Sequence, residues 1–433
     1  MNKNNHFHLL GAVIATGILS FSGVLIETAM NVTFPTLINE FGLSTSKIQW
    51  VTTIYLLVIA ITIPLSSYFN ERFSARKLFL VANLIFLVGV LTNCFSPNFA
   101  MLLFGRLLQG VGTGIGLPLM FHLILTKAPL HKNGGIISNS LDWRYIYIFL
   151  LPLVIISLVL GLACLPREGA KTPKKLALRP VIALSIMFFA FISALSAEHL
   201  MTFALLFIVG LVGAFLFVRF NRKESLIDLG ILQNHRFVAL IFSLLVYQAL
   251  LLGLSFVLPS FIQVSAGFSS SVAGLFMFPG ALIGAVLAPI SGKVLDQIGA
   301  RKPITTGLIL AALCLALLFV FLPTKSLALL LVAHIVLMLG LGISYSNLMT
   351  CSLSTLATDQ LSDGNALVNT LQQFIGAVAT AVVATTLSIF QGLNGFKVGT
   401  SHGTSIILAL FFFLIIVSLI VSFPNLKKVR ANH

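Results

Sequence analysis

Residues 42–77 read GLSTSKIQWVTTIYLLVIAITIPLSSYFNERFSARK, and residues 267–302 read GFSSSVAGLFMFPGALIGAVLAPISGKVLDQIGARK. The two stretches align without a gap. Gly42 falls on Gly267, Ser44 on Ser269 and Pro64 on Pro289. Glu71 falls on Asp296, and both stretches end in Ala-Arg-Lys. An apolar segment followed by the same polar loop, met twice in one chain, marks an internal duplication. Two parallel helical halves are a common way to build secondary transporters, with the substrate site near the bilayer midplane between them.

Composition supports a membrane reading of both copies. Of 433 residues, 58% are hydrophobic and 9% are charged, whereas a soluble domain carries about 25% charged residues. Mean hydropathy is +1.06. The net charge of +15 raises the question of nucleic acid. The basic residues are spread over many short loops, which fits loops retained on the cytoplasmic side instead. Cys94, Cys164, Cys314 and Cys351 are scattered, with no metal spacing and no disulfide framework. Lys3 and the apolar run behind it resemble a signal peptide. No small-residue cleavage site stands out, so the run reads as an uncleaved first helix.

Thirteen runs are long and apolar enough to span: 9–34, 48–68, 78–96, 99–124, 145–165, 178–195, 201–218, 237–262, 272–292, 304–322, 327–348, 367–390 and 404–423. Lysine and arginine then orient them. Lys3, the loop of Arg72, Arg76 and Lys77, and the loop of Lys127 and Lys132 alternate correctly as inside. The loop of Arg167, Lys171, Lys174, Lys175 and Arg179 should also be inside. Only the run 145–165 separates those last two loops, and one crossing cannot return to the same side. Restoring a crossing within APLHKNGGIISNSLDWRYIY (128–147) puts all but five basic residues on one side. The exceptions are Lys47, Arg144, Lys325 and Lys397 outside, and Arg106 within a span. One helix is therefore missing from the first half, and the HKNGGIISNSLD stretch is too short and too polar to replace it.

The repeated loops resemble the signature loops of the major facilitator superfamily. The second copy keeps the family glycines at Gly292 and Gly299, while the first has Ser67, Ser74 and Glu71 where Gly, Gly and Asp are usual. RLLQGVGTGIG (106–116) resembles the family's fourth-helix motif. ETAMNVTFP (27–35), QWVTTIYLL (49–57) and WRYIYIFLLP (143–152) narrow the resemblance to the fourteen-helix drug:proton antiporters. Within these the chain is most similar to the lincomycin and multidrug exporters of Gram-positive bacteria. The resemblance implies an all-α polytopic fold of two pseudo-symmetric halves plus two linker helices. It divides the chain into residues 1–165, a linker over 166–235, and residues 236–433. It also implies a fifth helix ending in Gly-Pro-x-x-Gly-Gly. Here only Gly134-Gly135 remains, so the family comparison and the charge count meet at the same gap.

Glu27 is the one carboxylate clearly within a span, and an intramembrane acid is a functional candidate by default. Its expected role is to bind a proton and to attract a cationic drug. Asn31 lies four residues on, on the same helix face, placed to bond the acid. Arg106 and Glu27 both lie roughly 12–15 Å deep at 1.5 Å per residue. A buried arginine needs a partner, and Glu27, or backbone carbonyls beside it, is the expected one. Gln109 would complete the cluster. The alternatives are an acid that snorkels to the interface and a static structural ion pair. Gly110, Gly112, Gly114 and Gly116 permit close helix contact, and packing alone explains them. Glu71, Arg72, Arg76, Asp296 and Arg301 are expected to act as cytoplasmic latches, against the plainer reading of topological charge. Tyr55, Gln49, Trp50, Tyr247, Gln248, Asn347, Asn365, Gln372 and Gln373 are candidates to line a cavity, though each alone is more often a packing residue. His122 and His334 read as core histidines.

The expectation is a proton-coupled exporter of hydrophobic or cationic drugs, working by alternating access in a bacterial plasma membrane. Both termini are expected in the cytoplasm and the chain is expected to be a monomer. No catalytic triad, metal cluster, cofactor motif or nucleotide motif appears, so an enzyme, a cofactor and nucleic-acid binding are not expected. The competing readings are an uptake symporter on the same scaffold and a non-transporting relative disabled by the missing helix.

Overall fold

The computed structural model describes residues 3–127, 144–165, 177–197 and 199–426. Most of 128–147, and the basic residues Lys171, Lys174 and Lys175, lie outside the described residues. Fifteen α-helices occupy the described residues, with short 3-10 and π turns between some of them. In chain order they are α1 (Lys3–Phe41), α2 (Thr45–Ile48), α3 (Trp50–Thr62), α4 (Ser66–Arg72), α5 (Ala75–Cys94), α6 (Phe99–Lys127) and α7 (Arg144–Cys164). Then follow α8 (Leu178–Leu195), α9 (Leu200–Asn221), α10 (His235–Ser260), α11 (Ser270–Ile298), α12 (Arg301–Phe321), α13 (Leu327–Leu353), α14 (Leu361–Asn394) and α15 (Phe396–Asn425). Of the thirteen expected spans, eleven appear among the described residues as helical stretches long and apolar enough to cross a membrane, and the runs 145–165 and 272–292 appear as the shorter apolar helices Leu150–Cys164 and Ser270–Gly284. Several helices outrun their apolar runs, because a helix satisfies its own backbone beyond the hydrocarbon as well as within it. The second crossing is divided into α2, α3 and α4. A 3-10 turn over Ile63–Leu65 carries Pro64, which cannot donate to the helical ladder.

The duplication is physical. Gly42 and Gly267 both adopt positive φ, 63° and 82°, a conformation that costs glycine little. The two repeats then differ at one loop position. Gly299 has φ 75°, whereas Ser74 at the matching place has φ −66° and ψ 147° and caps α5 by accepting from the Lys77 N–H at 3.4 Å. The departure from glycine in the first copy is thus accommodated by a different cap.

Small residues set the helix contacts the same way in each half. A Cβ added at Gly112 would lie 2.7 Å from the Ala82 carbonyl oxygen, so α6 crosses α5 there. A Cβ added at Gly340 would lie 2.7 Å from the Gly307 carbonyl oxygen, where α13 crosses α12. Two residues on, Gly114 meets Thr62 of α3 and Gly342 meets Leu287 of α11. Between lipid-facing helices, such close approach supplies the dispersion contact that burial supplies in water.

In the second half α14 returns the chain between α13 and α15, packing on α10 and on α3 of the first half. Among the described residues no helix takes the matching position in the first half. The directions of α6 and α7 make this concrete. Along α5, Gly89 meets Gly105 and Ala82 meets Gly112, so α6 runs antiparallel to α5. Asn83 donates to Ser157 at 3.4 Å, Phe79 meets Gly161, and Tyr147 reaches Met30 near the other end of α1. α7 is therefore also antiparallel to α5, and parallel to α6. The chain leaves α6 at one end of the bundle and enters α7 at the other. That is the geometry the charge pattern requires. Val24 of α1 and Val286 of α11 are each 54% exposed, and a Cβ added at Gly17 or Gly284 would meet nothing within 4 Å among the described residues.

Candidate functional site

The two halves meet along α1 with α10 and along α3 with α14. They close at the end away from the ARK loops. Phe34 packs edge-on against Phe256 at 4.7 Å, Gln263 donates to the Val32 carbonyl at 2.8 Å, and Thr45 donates to Gln391 at 2.8 Å. The expected latches do not bridge the halves. Arg72 donates to Tyr68 of its own helix at 2.7 Å, and Arg301 lies 4.2 Å from the centre of the Phe423 ring of α15. Asp296 is exposed, and no contact between Arg76 and the second half is seen. The Glu71 side chain and that of His122 lie outside the described residues.

Glu27 sits two-thirds of the way along α1 and is buried. It has no hydrogen-bond or salt-bridge partner among the described residues. Glu27 thus lies, without contact to Arg106, on a helix that packs on α6 of its own half and on α10 and α11 of the second.

Arg106 is fully buried on α6 and makes other contacts than the one expected. Its Nε donates to the Val51 carbonyl at 2.9 Å, its Nη1 donates to Gln109 Oε1 at 2.9 Å, and its guanidinium lies over the Tyr55 ring at 4.2 Å. Nη2 has no partner. A guanidinium has five donors in a fixed fork and stacks well on an aromatic face, so a carbonyl and a ring can hold it without a carboxylate. Tyr55 donates in turn to Thr113 at 3.1 Å. Asn31 does not bond Glu27 either. It accepts from Thr52 at 3.0 Å, and its Nδ2 is unpartnered.

On the second half, Tyr345 donates to Gln248 at 2.6 Å and accepts from Gln372 at 2.5 Å. Tyr247 belongs to a separate contact, accepting from Ser344 at 2.9 Å inside the second half. Asn347 bonds the Ser291 carbonyl at 3.1 Å, and Asn365 accepts from Asn369 at 3.0 Å. Gln49 bonds Thr53 and Ser196, and Trp50 packs on Phe189. Tyr247, Asn347, Gln49 and Trp50 thus tie helices together, whereas Asn365 bonds within α14. An apolar cleft of about 460 Å3 lies beside Trp50, Ile54 and Phe189 and does not include Glu27. His334 is fully buried on α13, where the repeat places Arg106 on α6. Its ring stacks on Phe276 at 5.5 Å, and both nitrogens lack partners.

The structure therefore gathers Arg106, Gln109 and Tyr55 into one cluster, places Glu27 and Asn31 on α1, which packs on α6, and ties Gln248 to Tyr345 in the second half. Thr113, Thr52 and Tyr345 were not anticipated. Tyr345 is a phenol in the middle of an apolar run, the same signal that marks Tyr55 and Tyr247.

The sequence profile of the Major Facilitator Superfamily matches residues 16–134 and 133–381. The two matched segments meet inside the 128–147 stretch. The Lincomycin resistance protein LmrB of Listeria monocytogenes is 32% identical, over 88% of this chain and 87% of its own. The Multidrug resistance protein B homolog of Mycobacterium tuberculosis is 26% identical, over 88% and 77%. Among solved structures, a bacterial homolog of the human lysosomal transporter Spinster, inward-facing and unoccupied, superposes with a TM-score of 0.62 at 14% identity, over 99% and 98% of the two chains. A D-xylose-proton symporter superposes with a TM-score of 0.59 at 15% identity, over 95% and 96%.

Proposed function

The chain belongs to the Major Facilitator Superfamily, a family of membrane transporters and not of enzymes, and from that membership we propose that it is a proton-coupled exporter of hydrophobic and cationic drugs. The observation that carries the proposal is Glu27, a buried carboxyl with no bonded partner among the described residues, on the helix that packs on both halves. An ionised Glu27 attracts a drug cation strongly in a low-dielectric site. A proton arriving at Glu27 removes that attraction and frees the drug. The two ligands compete for one group, which is the simplest form of exchange.

Arg106 keeps positive charge near the acid without neutralising it by contact, so Glu27 stays available to either ligand. Residues 1–165 and 236–433 act as the moving halves, joined through 166–235, and alternately expose Glu27 to the two sides of the plasma membrane. The ARK loops, with Glu71, Arg72, Arg76, Asp296 and Arg301, lie at the cytoplasmic end. They engage across the halves only when that end closes. The names of the relatives, lincomycin and multidrug resistance proteins, support export of drugs over uptake of a nutrient.

The test is transport of ethidium in proteoliposomes under an imposed pH gradient. The wild-type chain is expected to move ethidium against its gradient, and an intact Glu27→Gln variant is expected not to. Gradient-driven export by Glu27→Gln would sink the assignment of the acid. Failure of the folded wild type to move any cationic probe would favour the non-transporting reading that the missing fifth-helix motif raises.

A further inference from the structure

Three side chains of the second half form one relay. Gln372 of α14 and Gln248 of α10 both reach the hydroxyl of Tyr345 on α13, at 2.5 and 2.6 Å. A phenol has one O–H to donate. It donates to one glutamine and must accept from the other. With Tyr345 donating to Gln248 Oε1, Gln372 donates its Nε2. Reversing the relay exchanges the two roles. In either sense one glutamine is left presenting its NH2 and the other its C=O.

Those two free ends are not sealed in. Among the described residues neither Gln248 Nε2 nor Gln372 Oε1 has another partner, neither is among the unpartnered polar atoms shut inside the protein, and the two residues keep 8% and 6% exposure. Both therefore open on accessible space. The shared hydroxyl keeps the two amide heads within about 5 Å of each other. The relay joins α10 and α14, helices of the second half that pack on α1 and α3 of the first. A few placed polar groups in an apolar cavity fix the orientation of a ligand.

We infer that Gln248 and Gln372 form an amide clamp that selects cationic amphiphiles carrying an adjacent hydrogen-bond donor and acceptor, such as a carboxamide. This rests on the export reading, in which Glu27 holds the cationic end of the same molecule. The clamp then reads the neutral end. Tyr345 is a positioning residue: it touches the glutamines, and its hydroxyl decides which end of each amide faces outward. An ester in place of the carboxamide keeps the acceptor but loses the N–H, so the carbonyl of the clamp is left without a donor. A site built to bond a donor discriminates against an analogue that lacks it.

The experiment is binding of procainamide and of its ester isostere procaine to the purified full-length protein in nanodiscs, by equilibrium dialysis. The two probes share the tertiary amine and the aromatic ring. The wild type is expected to bind the amide about tenfold more tightly, the worth of one hydrogen bond. Gln372→Leu, which removes the carbonyl of the clamp, is expected to bring the amide down to the affinity of the ester and to leave the ester within about twofold, whereas Gln248→Leu, which removes the NH2 that bonds the carbonyl of both probes, is expected to weaken both alike. Tyr345→Phe, which keeps the ring and removes only the hydroxyl, is expected to erase the preference as well. Equal binding of the two probes by the wild type, or a preference that survives Gln372→Leu and Tyr345→Phe, would overturn the clamp. Glu27→Gln tests the other reading separately. It is expected to weaken both probes alike and to keep their ratio. Unchanged affinity for both probes in Glu27→Gln would contradict the role of the acid while leaving the clamp standing.

Discussion

The Arg106 guanidinium lies 4.2 Å from the centre of the Tyr55 ring and is bonded to the Val51 carbonyl and to Gln109, while Glu27 stands near it without contact. This arrangement holds a cation in the membrane by a flat fork and a ring face. A lysine offers a point charge and no planar face. Arg106→Lys is therefore expected to fold but to lose at least tenfold in transport rate. Arg106→Ala, which strands the Val51 carbonyl and Gln109, is expected to cost about 3 kcal/mol as well. Thermal unfolding in detergent, measured beside ethidium transport, separates the two effects. Full transport by Arg106→Lys would show that charge alone suffices.

The glycine crossings give a contrast within one molecule. Gly112→Leu and Gly340→Leu drive side chains into the Ala82 and Gly307 carbonyls. Each is expected to destabilise by about 1–3 kcal/mol or more. Gly17→Leu and Gly284→Leu meet no described residue within 4 Å of the added Cβ. They are expected to stay within about 0.5 kcal/mol of wild type. Unfolding midpoints for the four variants check the comparison. Equal damage at Gly17 and Gly112 would mean that the open flank is covered in the membrane.

Much of this architecture is legible in the chain itself. The repeat is visible because the loop chemistry of Gly42 to Lys77 recurs at Gly267 to Lys302. The missing crossing is visible because lysine and arginine are expensive to move to the wrong side. The contacts of Glu27 are a different matter. A spanning helix is apolar on its lipid face and on its packed face alike, so periodicity says little about which way a residue points. Glu27, Asn31 and Arg106 share a depth, and depth alone suggested that they touch. Rotation of α1 and α6 decides otherwise, giving Asn31 to Thr52 and Arg106 to Val51. Tyr345 meets Gln248 and Gln372 across three helices far apart in sequence, and no local pattern encodes that meeting.

His334 has two buried nitrogens without partners, and its ring stacks on Phe276. Replacing an unsatisfied polar group by an apolar one of similar shape is close to neutral or stabilising. His334→Leu is expected to raise stability by about 1 kcal/mol and to leave transport unchanged. Loss of transport in a well-folded His334→Leu would instead give this histidine, which sits where Arg106 sits in the other half, a part in the cycle.

The parallel course of α6 and α7 sets a topology that labelling can read. In a cysteine-free background, Ser74→Cys and Ala177→Cys are expected to react with an impermeant maleimide only from the cytoplasm. Asn98→Cys and Lys325→Cys are expected to react from outside. Labelling of Ala177→Cys from outside would invert everything after α7 and contradict the placement of the linker.

Competition between a drug and a proton for Glu27 is tested most directly by proton release on binding. The purified protein in weakly buffered detergent solution, titrated with ethidium at a pH where Glu27 holds its proton, is expected to release about one proton for each ethidium bound. Glu27→Gln is expected to release none. Proton release of the same size from an intact Glu27→Gln variant would contradict the account, because the exchanged proton would then reside elsewhere.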